Sequence, residues 1–375
     1  MNEEIRRLFP ITKEYIYLNS AAVSPPPTIA IEALNEQLRD VQLYGSRNYR
    51  QWVGRKENCR RLLAGLINAR TEQIAFLRNT SDALSTIANG LKWNAGENIV
   101  TFQNEFPSNV YAWRRIRDTE NVELRFCPER EGRRIDLDEF ISLIDEKTRV
   151  VAISAVQYAS GFRADLKRIG EAARAVDALL VVDAIQAAGV VPIDVEADLI
   201  DAAAGASHKW LMSPEGIGYI YLSDRARTRI EPTLVGWISV EQPEDYSNFE
   251  QQFKLGALAW ETGTFASALF YALEANLKLL TELGVGEINK YLLGLGDFLC
   301  ESLDEEKYEL ISSRRENEKS PIVCIRNRNG VEAMQLYKHL QRQNIIVAPR
   351  GDRLRIAPHI YNTRKEIEKL ISALP

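Results

Sequence analysis

The sequence predicts an α/β fold: a parallel or mostly parallel sheet with helices on both faces, followed by a smaller α/β C-terminal unit. Three observations carry this. Short β-like runs alternate with helix-period stretches from about residue 74 to 222. The chain has 375 residues and is 45% hydrophobic, enough to bury a sizeable core in two domains or in one large domain with an appendage. After about residue 265 the texture changes to long helical stretches followed by short strands.

In chain order, Tyr15–Leu18 is a short β-like run before Pro25-Pro26-Pro27. Strand-like segments follow at Ile74–Leu77, Asn98–Phe102, Val122–Phe126, Arg149–Ala155, Leu179–Asp183, Leu199–Ala203 and Gly216–Leu222. Between them, Ser81–Leu91 places Leu84, Ile87, Ala88 and Leu91 on one helical face, and Leu166–Val176 reads as a second helix. Two long helical stretches, Ala266–Leu283 and Gly286–Ser302, open the C-terminal part. Short strands near Pro321–Ile325, Ile345–Ala348 and Leu354–Ile356 and a last helix at Thr363–Leu374 complete it. The expected division is residues 1–16 packing near the small domain, 17–265 as a large domain and 266–375 as a small one. Ligands of such sheets collect beyond the carboxyl ends of the strands. Thr80, Asn104, Gln157, Asp183 and Lys209 all fall at or shortly after such ends, so one site can gather them.

Composition excludes several classes. A net charge of −5 with interspersed charges is not a nucleic-acid footprint. No apolar run is long enough to span a bilayer. The charged start Glu3-Glu4-Ile5-Arg6-Arg7 lacks a signal-peptide core, and a cytoplasmic location is expected. Cys59, Cys127, Cys300 and Cys324 are scattered without metal-ligand spacing and read as reduced packing residues. With three histidines in the chain, no metal site is expected. No G-x-G-x-x-G is present, which disfavours a nicotinamide dehydrogenase.

The chemistry lies in Leu179-Leu180-Val181-Val182-Asp183 and in Ser207-His208-Lys209-Trp210. A lysine amine and a carboxylate at the end of a buried strand suit pyridoxal phosphate. The lysine forms a Schiff base, and the carboxylate keeps the pyridine nitrogen protonated. Asn79-Thr80-Ser81-Asp82 opens a helix, where free N–H groups and the helix dipole favour phosphate; an ordinary N-cap is the alternative. Phe106 is placed to stack on a ring or to fill the core. Gln186 could bond the ring's 3-oxygen or be solvated.

In combination these stretches resemble the class V aminotransferases of pyridoxal-phosphate fold type I, which include cysteine desulfurases, isopenicillin epimerase-like proteins and kynureninase-like enzymes. The matching segments are Tyr17-Leu18-Asn19-Ser20-Ala21-Ala22, Asn79 to Leu84, Glu105-Phe106-Pro107-Ser108-Asn109, Val182 to Gln186, Ser207-His208-Lys209, Glu261-Thr262-Gly263-Thr264, and Arg355 through Tyr361-Asn362-Thr363. The resemblance implies Lys209 as the Schiff-base lysine, Asp183 as the pyridinium partner, Gln186 at the 3-oxygen and Phe106 on the ring. It implies Thr80, Ser81 and His208 around the phosphate, with Ser207 beside Ala206, where desulfurases carry a phosphate-binding serine. Gln157 stands where many relatives have an asparagine near the 3-oxygen. Thr264 resembles a threonine that completes the phosphate cup from the neighbouring subunit, which implies a homodimer. Arg355 resembles the arginine that grips the substrate carboxylate, with Asn19 and Ala22 beside the substrate.

Two departures bear on the reaction. Residues 344–354 hold no cysteine where desulfurases carry their nucleophile, and Phe106 stands where they place a histidine. The expectation is therefore an aminotransferase acting on a small amino acid. A cysteine desulfurase- or selenocysteine lyase-like carbon–sulfur lyase, or an amino-acid epimerase, on the same scaffold is the alternative, and an inert ligand-binding relative is the reading of another class.

Overall fold

The computed structural model describes residues 3–130 and 135–375. In chain order the first part contains α1 (Glu3–Arg7), β1 (Ile16–Tyr17), α2 (Thr28–Tyr44), α3 (Tyr49–Leu66), β2 (Ile74–Leu77), α4 (Thr80–Gly90), β3 (Asn98–Phe102), α5 (Ser108–Glu120) and β4 (Glu123–Cys127). The middle contains α6 (Leu137–Ser142), β5 (Thr148–Ser154), α7 (Leu166–Ala175), β6 (Leu179–Asp183), β7 (Ala202–Ala206), β8 (Gly218–Leu222) and α8 (Asp224–Arg227). The last part contains α9 (Ser267–Leu283), α10 (Val285–Glu301), β9 (Tyr308–Leu310), β10 (Val323–Asn327), α11 (Ala333–Gln341), β11 (Ile345–Ile346), β12 (Ala348–Arg350), β13 (Arg353–Ile356) and α12 (Arg364–Ala373).

The central sheet has seven strands in the order β2-β8-β7-β6-β5-β3-β4. Only β8 runs against its neighbours; the other pairings are parallel. Because β8 is reversed on both sides, β2 again runs with β7. The C-terminal ends of β2, β3, β5, β6 and β7 therefore share one edge, and the residues that follow them converge there.

Period-two alternation builds a core on each face of this sheet. On β6, Leu180 and Val182 enter one hydrophobic cluster while Leu179 and Val181 enter the other. A strand buried on both faces reads as continuous Leu-Leu-Val-Val. Its last residue, Asp183, is then carried into the interior with it, at 1% exposure.

Two features differ from the sequence expectation. The strand expected at Leu199–Ala203 lies at Ala202–Ala206. Leu199 adopts a left-handed φ of 54° in the preceding turn, and the Asp201 carboxylate is held by Leu180 N–H and Arg225. β7 is all alanine and glycine, so it carries no β-propensity signal; a Cβ on its Gly205 would sit 2.4 Å from the Tyr219 ring on β8. Helices α2, α3, α5 and α11 and strand β9 lie in regions without an expected element.

β12, β13, β10 and β9 form a separate antiparallel sheet in that order. β1 pairs in parallel with β11, and Arg6 donates to the Tyr361 carbonyl and to Glu366. The start of the chain is thus tied to its end.

One buried carboxylate joins α3, β2 and the loop before α9. Glu261 accepts from Lys56 Nζ at 2.7 Å, from Arg60 Nη1 at 2.6 Å and from Phe76 N–H at 2.9 Å. Burial alone would raise its pKa, but Arg60 and Lys56 outweigh that and hold it at about 2. Glu261→Gln removes the buried carboxylate that Lys56 and Arg60 share and leaves them only the half-exposed Glu57, and a loss of about 3 kcal/mol in urea unfolding is expected. Because the folded pKa is depressed, this contribution is present above the ordinary value of 4.5 and is lost as pH falls toward 2. The stability gap between the two proteins should narrow across that window.

Candidate active site

Asp183 ends β6, and its Oδ1 accepts the Ile185 N–H at 3.0 Å. Lys209 lies just beyond the adjacent strand β7 and is 8% exposed. Both line a cavity of about 290 Å³ at the C-terminal edge of the sheet. Taking each charge out of water pushes Asp183 up and Lys209 down. Their mutual attraction opposes both shifts, while Arg355 and Arg350 push Lys209 further down. The net direction leaves Lys209 a neutral amine at lower pH than a free lysine, the form needed to attack a carbonyl.

Thr80 begins α4 behind Asn79, whose side-chain oxygen caps the helix by accepting the Asp82 N–H at 2.9 Å. The Thr80 hydroxyl is buried and has no partner among the described residues. Ser81 Oγ lies 2.7 Å from Ser108 Oγ, and both serines face the cavity. An unpaired hydroxyl, further hydroxyls and the first N–H groups of an eleven-residue helix fit a phosphate. This tight start depends on β8: a Cβ on Gly218 would lie 2.5 Å from the Asn79 backbone. His208 also lines the cavity, and burial lowers its pKa, so a neutral ring is favoured.

Phe106 meets Tyr158 edge-on, with ring centroids 5.2 Å apart, and Lys209 Nζ is 5.4 Å from the centre of the Phe106 ring. The aromatic face therefore stands over the amine, where it could cover a flat ring. Gln186 lines the cavity; its amide donates to Ala21 O at 3.0 Å and accepts from Trp210 Nε1 at 2.8 Å. Ala22 also lines it. Arg355 donates to Tyr158 O at 3.1 Å and to Asn19 Oδ1 at 3.2 Å, so Asn19 reaches the site through the guanidinium.

Other expected residues lie apart. Gln157 and Asn104 line a neighbouring cavity. Glu105 is the reason for Gln157: this buried carboxyl accepts from Gln157 Nε2 at 2.5 Å and from Ser154 N–H at 2.7 Å. The Ser207 hydroxyl is turned to Pro214 O at 3.1 Å. Thr264 lines a different pocket, beside Lys56 and Glu261. Two cavity residues were not singled out from sequence, Tyr158 and Arg350. The hairpin signal Pro349-Arg350-Gly351-Asp352 could have drawn attention to Arg350, because it sets this arginine across from the strand of Arg355.

Residues 16–370 match the family described as aminotransferase class-V. The chain belongs to that family. The family is pyridoxal-phosphate-dependent, and the donor set above fits that cofactor. A probable cysteine desulfurase of Methanothermobacter thermautotrophicus is 28% identical over 98% of this chain and 96% of its own. The solved apo cysteine desulfurase of Thermococcus onnurineus NA1 is similar with a TM-score of 0.89 and 26% identity, over 99% of this chain and 97% of that one. A lysine-to-alanine mutant of C-DES, with glycine covalently linked to its pyridoxal phosphate, shares the fold at a TM-score of 0.89 and 22% identity, over 98% of each chain. The mostly parallel sheet with one reversed strand is thus the fold-type-I architecture. No helix among the described residues is long and apolar enough to cross a membrane.

Capture of pyridoxal phosphate by this class V protein, freed of cofactor, should speed up as pH rises. Its midpoint should lie below the ordinary lysine value of 10.5, because the attacking form of Lys209 is the neutral amine. Stopped-flow absorbance across a pH series checks this. Thr80→Val should weaken cofactor binding roughly tenfold to a hundredfold, the effect of losing one hydrogen bond to a charged group.

Proposed function

We propose that this protein is a pyridoxal-phosphate enzyme that breaks the Cβ–S bond of a small sulfur-containing amino acid. One observation carries the reading: a buried Lys209–Asp183 pair shares its cavity with the Arg355 guanidinium, and no cysteine lines that cavity among the described residues. The two desulfurase relatives support carbon–sulfur chemistry. They favour the lyase alternative over the aminotransfer expected first from the sequence.

Bound pyridoxal phosphate supplies an electron sink for the pair left when the Cα proton departs. Lys209 would hold the cofactor, and its neutral amine would take the Cα proton of the substrate. Asp183 would keep the ring nitrogen protonated, Phe106 would cover the ring and Gln186 would bond the 3-oxygen. Thr80, Ser81 and His208 would receive the phosphate, Ser207 would support that turn, and Gln157 would back the 3-oxygen side from beyond Glu105. In a homodimer, the partner subunit's Thr264 would close the phosphate cup. Arg355 clamps the substrate carboxylate with its planar fork, aided by Asn19 and Ala22.

The sulfur then leaves with its own substituent. Cys324 lies opposite Arg355 across β10 and β13, but it is fully buried and burial pushes its thiol up to about 11. A persulfide relay needs an accessible thiolate. The balanced outcome is elimination: a thiol leaves, and the remaining three-carbon unit takes up water to give ammonia and a 2-oxo acid.

The test is thiol and 2-oxo acid release from cysteine and S-substituted cysteines. Both products are expected without an added acceptor, and Cys324→Ser should leave thiol release intact. Turnover that requires an added 2-oxo acid and releases no thiol would show aminotransfer instead. Arg355→Ala should raise KM roughly tenfold to a hundredfold while the cofactor's absorption band keeps its position. Loss of the band with KM preserved would count against the clamp.

A further inference from the structure

Strands β12 and β13 form a hairpin in which Ala348 faces Arg355 and Arg350 faces Arg353. Side chains two apart on a strand share a face, so all three arginines lie on one side of the hairpin. Arg350 and Arg355 are diagonal neighbours, about 7–8 Å apart at their bases and within reach of each other's surroundings.

Their environments differ. Arg353 has carboxylates: Glu129 at 3.7 Å and Asp352 at 3.3 Å, besides the Ala159 carbonyl. Arg355 is 1% exposed and bonds only neutral oxygens, those of Tyr158 and Asn19, and its Nε is buried without a partner. Half-buried Arg350 makes one hydrogen bond, to the Pro349 carbonyl beside it. Among the described residues neither Arg350 nor Arg355 forms a salt bridge, and Asp183 is the only carboxylate lining their cavity. The cavity thus gathers Lys209, Arg350 and Arg355 around one acid.

Withdrawing a guanidinium from water is unfavourable unless an anion meets it. The substrate's α-carboxylate answers one of the two. Arg350 and Tyr158 also line the adjoining cavity of about 210 Å³, together with Asn104 and Ser160 and with Glu129 and Asp352, the two carboxylates that Arg353 holds. They stand at the junction, where the far end of a side chain longer than that of cysteine would lie.

We infer that Arg350 recognises a second anionic group, carried on the substrate's side chain, so that the substrate is a sulfur amino acid whose leaving group bears a carboxylate. This rests on reading Lys209 and Arg355 as an amino-acid site. The leaving thiol then carries that carboxylate away, while Arg355 retains the part that becomes the 2-oxo acid.

The test uses two probes of equal shape, S-carboxymethyl-L-cysteine and its uncharged amide, S-carbamoylmethyl-L-cysteine. Their dissociation constants are measured with the cofactor-loaded protein by spectral titration and by calorimetry, and kcat/KM by thiol release. The charged probe is expected to bind roughly tenfold to a hundredfold more tightly, as for a charge-assisted pair of hydrogen bonds. R350M should bring the ratio of the two affinities close to one, and R350K should restore part of it, since lysine returns the charge without the fork.

Equal affinities in the unaltered protein, or a ratio unmoved by R350M, overturns the inference. So does loss of cofactor by R350M, which would assign Arg350 to the phosphate. A preference that holds while turnover needs an added 2-oxo acid supports the anion site and sinks the carbon–sulfur reading. Failure of both probes to bind overturns the anion site and the Arg355 clamp together.

Discussion

The site is organised by one electrostatic constraint: Asp183 and Lys209 are both withdrawn from water at the ends of adjacent strands. Either charge alone would be strongly disfavoured in that setting. Together they moderate each other, and each is left close to a change of protonation state. The surrounding sequence serves this placement. β6 is apolar on both faces and draws its terminal aspartate inward. β7 is stripped to alanine and glycine so that Tyr219 fits across it, and the chain then turns to present Lys209. The two arginines beyond add positive potential, which favours the neutral amine and attracts anions.

The reversed strand β8 does less visible work. It is the only break in an otherwise parallel sheet, and it restores the direction of β2. The helix start carrying Thr80 therefore arrives at the same edge as Asp183, although more than a hundred residues separate them in the chain. A second layer of control lies behind the cavity, where Glu105 gathers Ser154 and Gln157 through short hydrogen bonds. Burial raises the Glu105 pKa, although its hydrogen bonds oppose that.

What was legible in the sequence follows from how strongly local chemistry is constrained. Asp183 after a run of buried aliphatics and Lys209 after Ser207-His208 are short-range patterns, and both occupy the cavity. Thr80 was legible because helix starts have a recognisable chemistry. Gln157 and Asn104 line the neighbouring cavity, because strand-end position gives the edge of a sheet but not the direction of a side chain. That direction came from Glu105, a long-range partner. β7 was placed too early because four alanines and a glycine carry no pattern, while Leu199-Ile200 does. Helix α3 is rich in charge, which blurs its apolar stripe. Arg350 was overlooked because its significance is negative: among the described residues no carboxylate forms a salt bridge with it, a fact that exists only in three dimensions.

The pairing of β1 with β11 has a consequence for the order of events during synthesis. Tyr17 finds its strand partner only at Ile346, more than three hundred residues later. Arg355 follows a few residues later, and its side chain rests on Asn19. At ribosomal rates of about 5–20 residues per second, tens of seconds pass between the emergence of one strand and the other. The central sheet can assemble in that interval, but its substrate end stays open until residues 345–355 have been made. A nascent chain stalled before residue 345 would thus hold the Lys209 end of the site without the arginine hairpin that closes it.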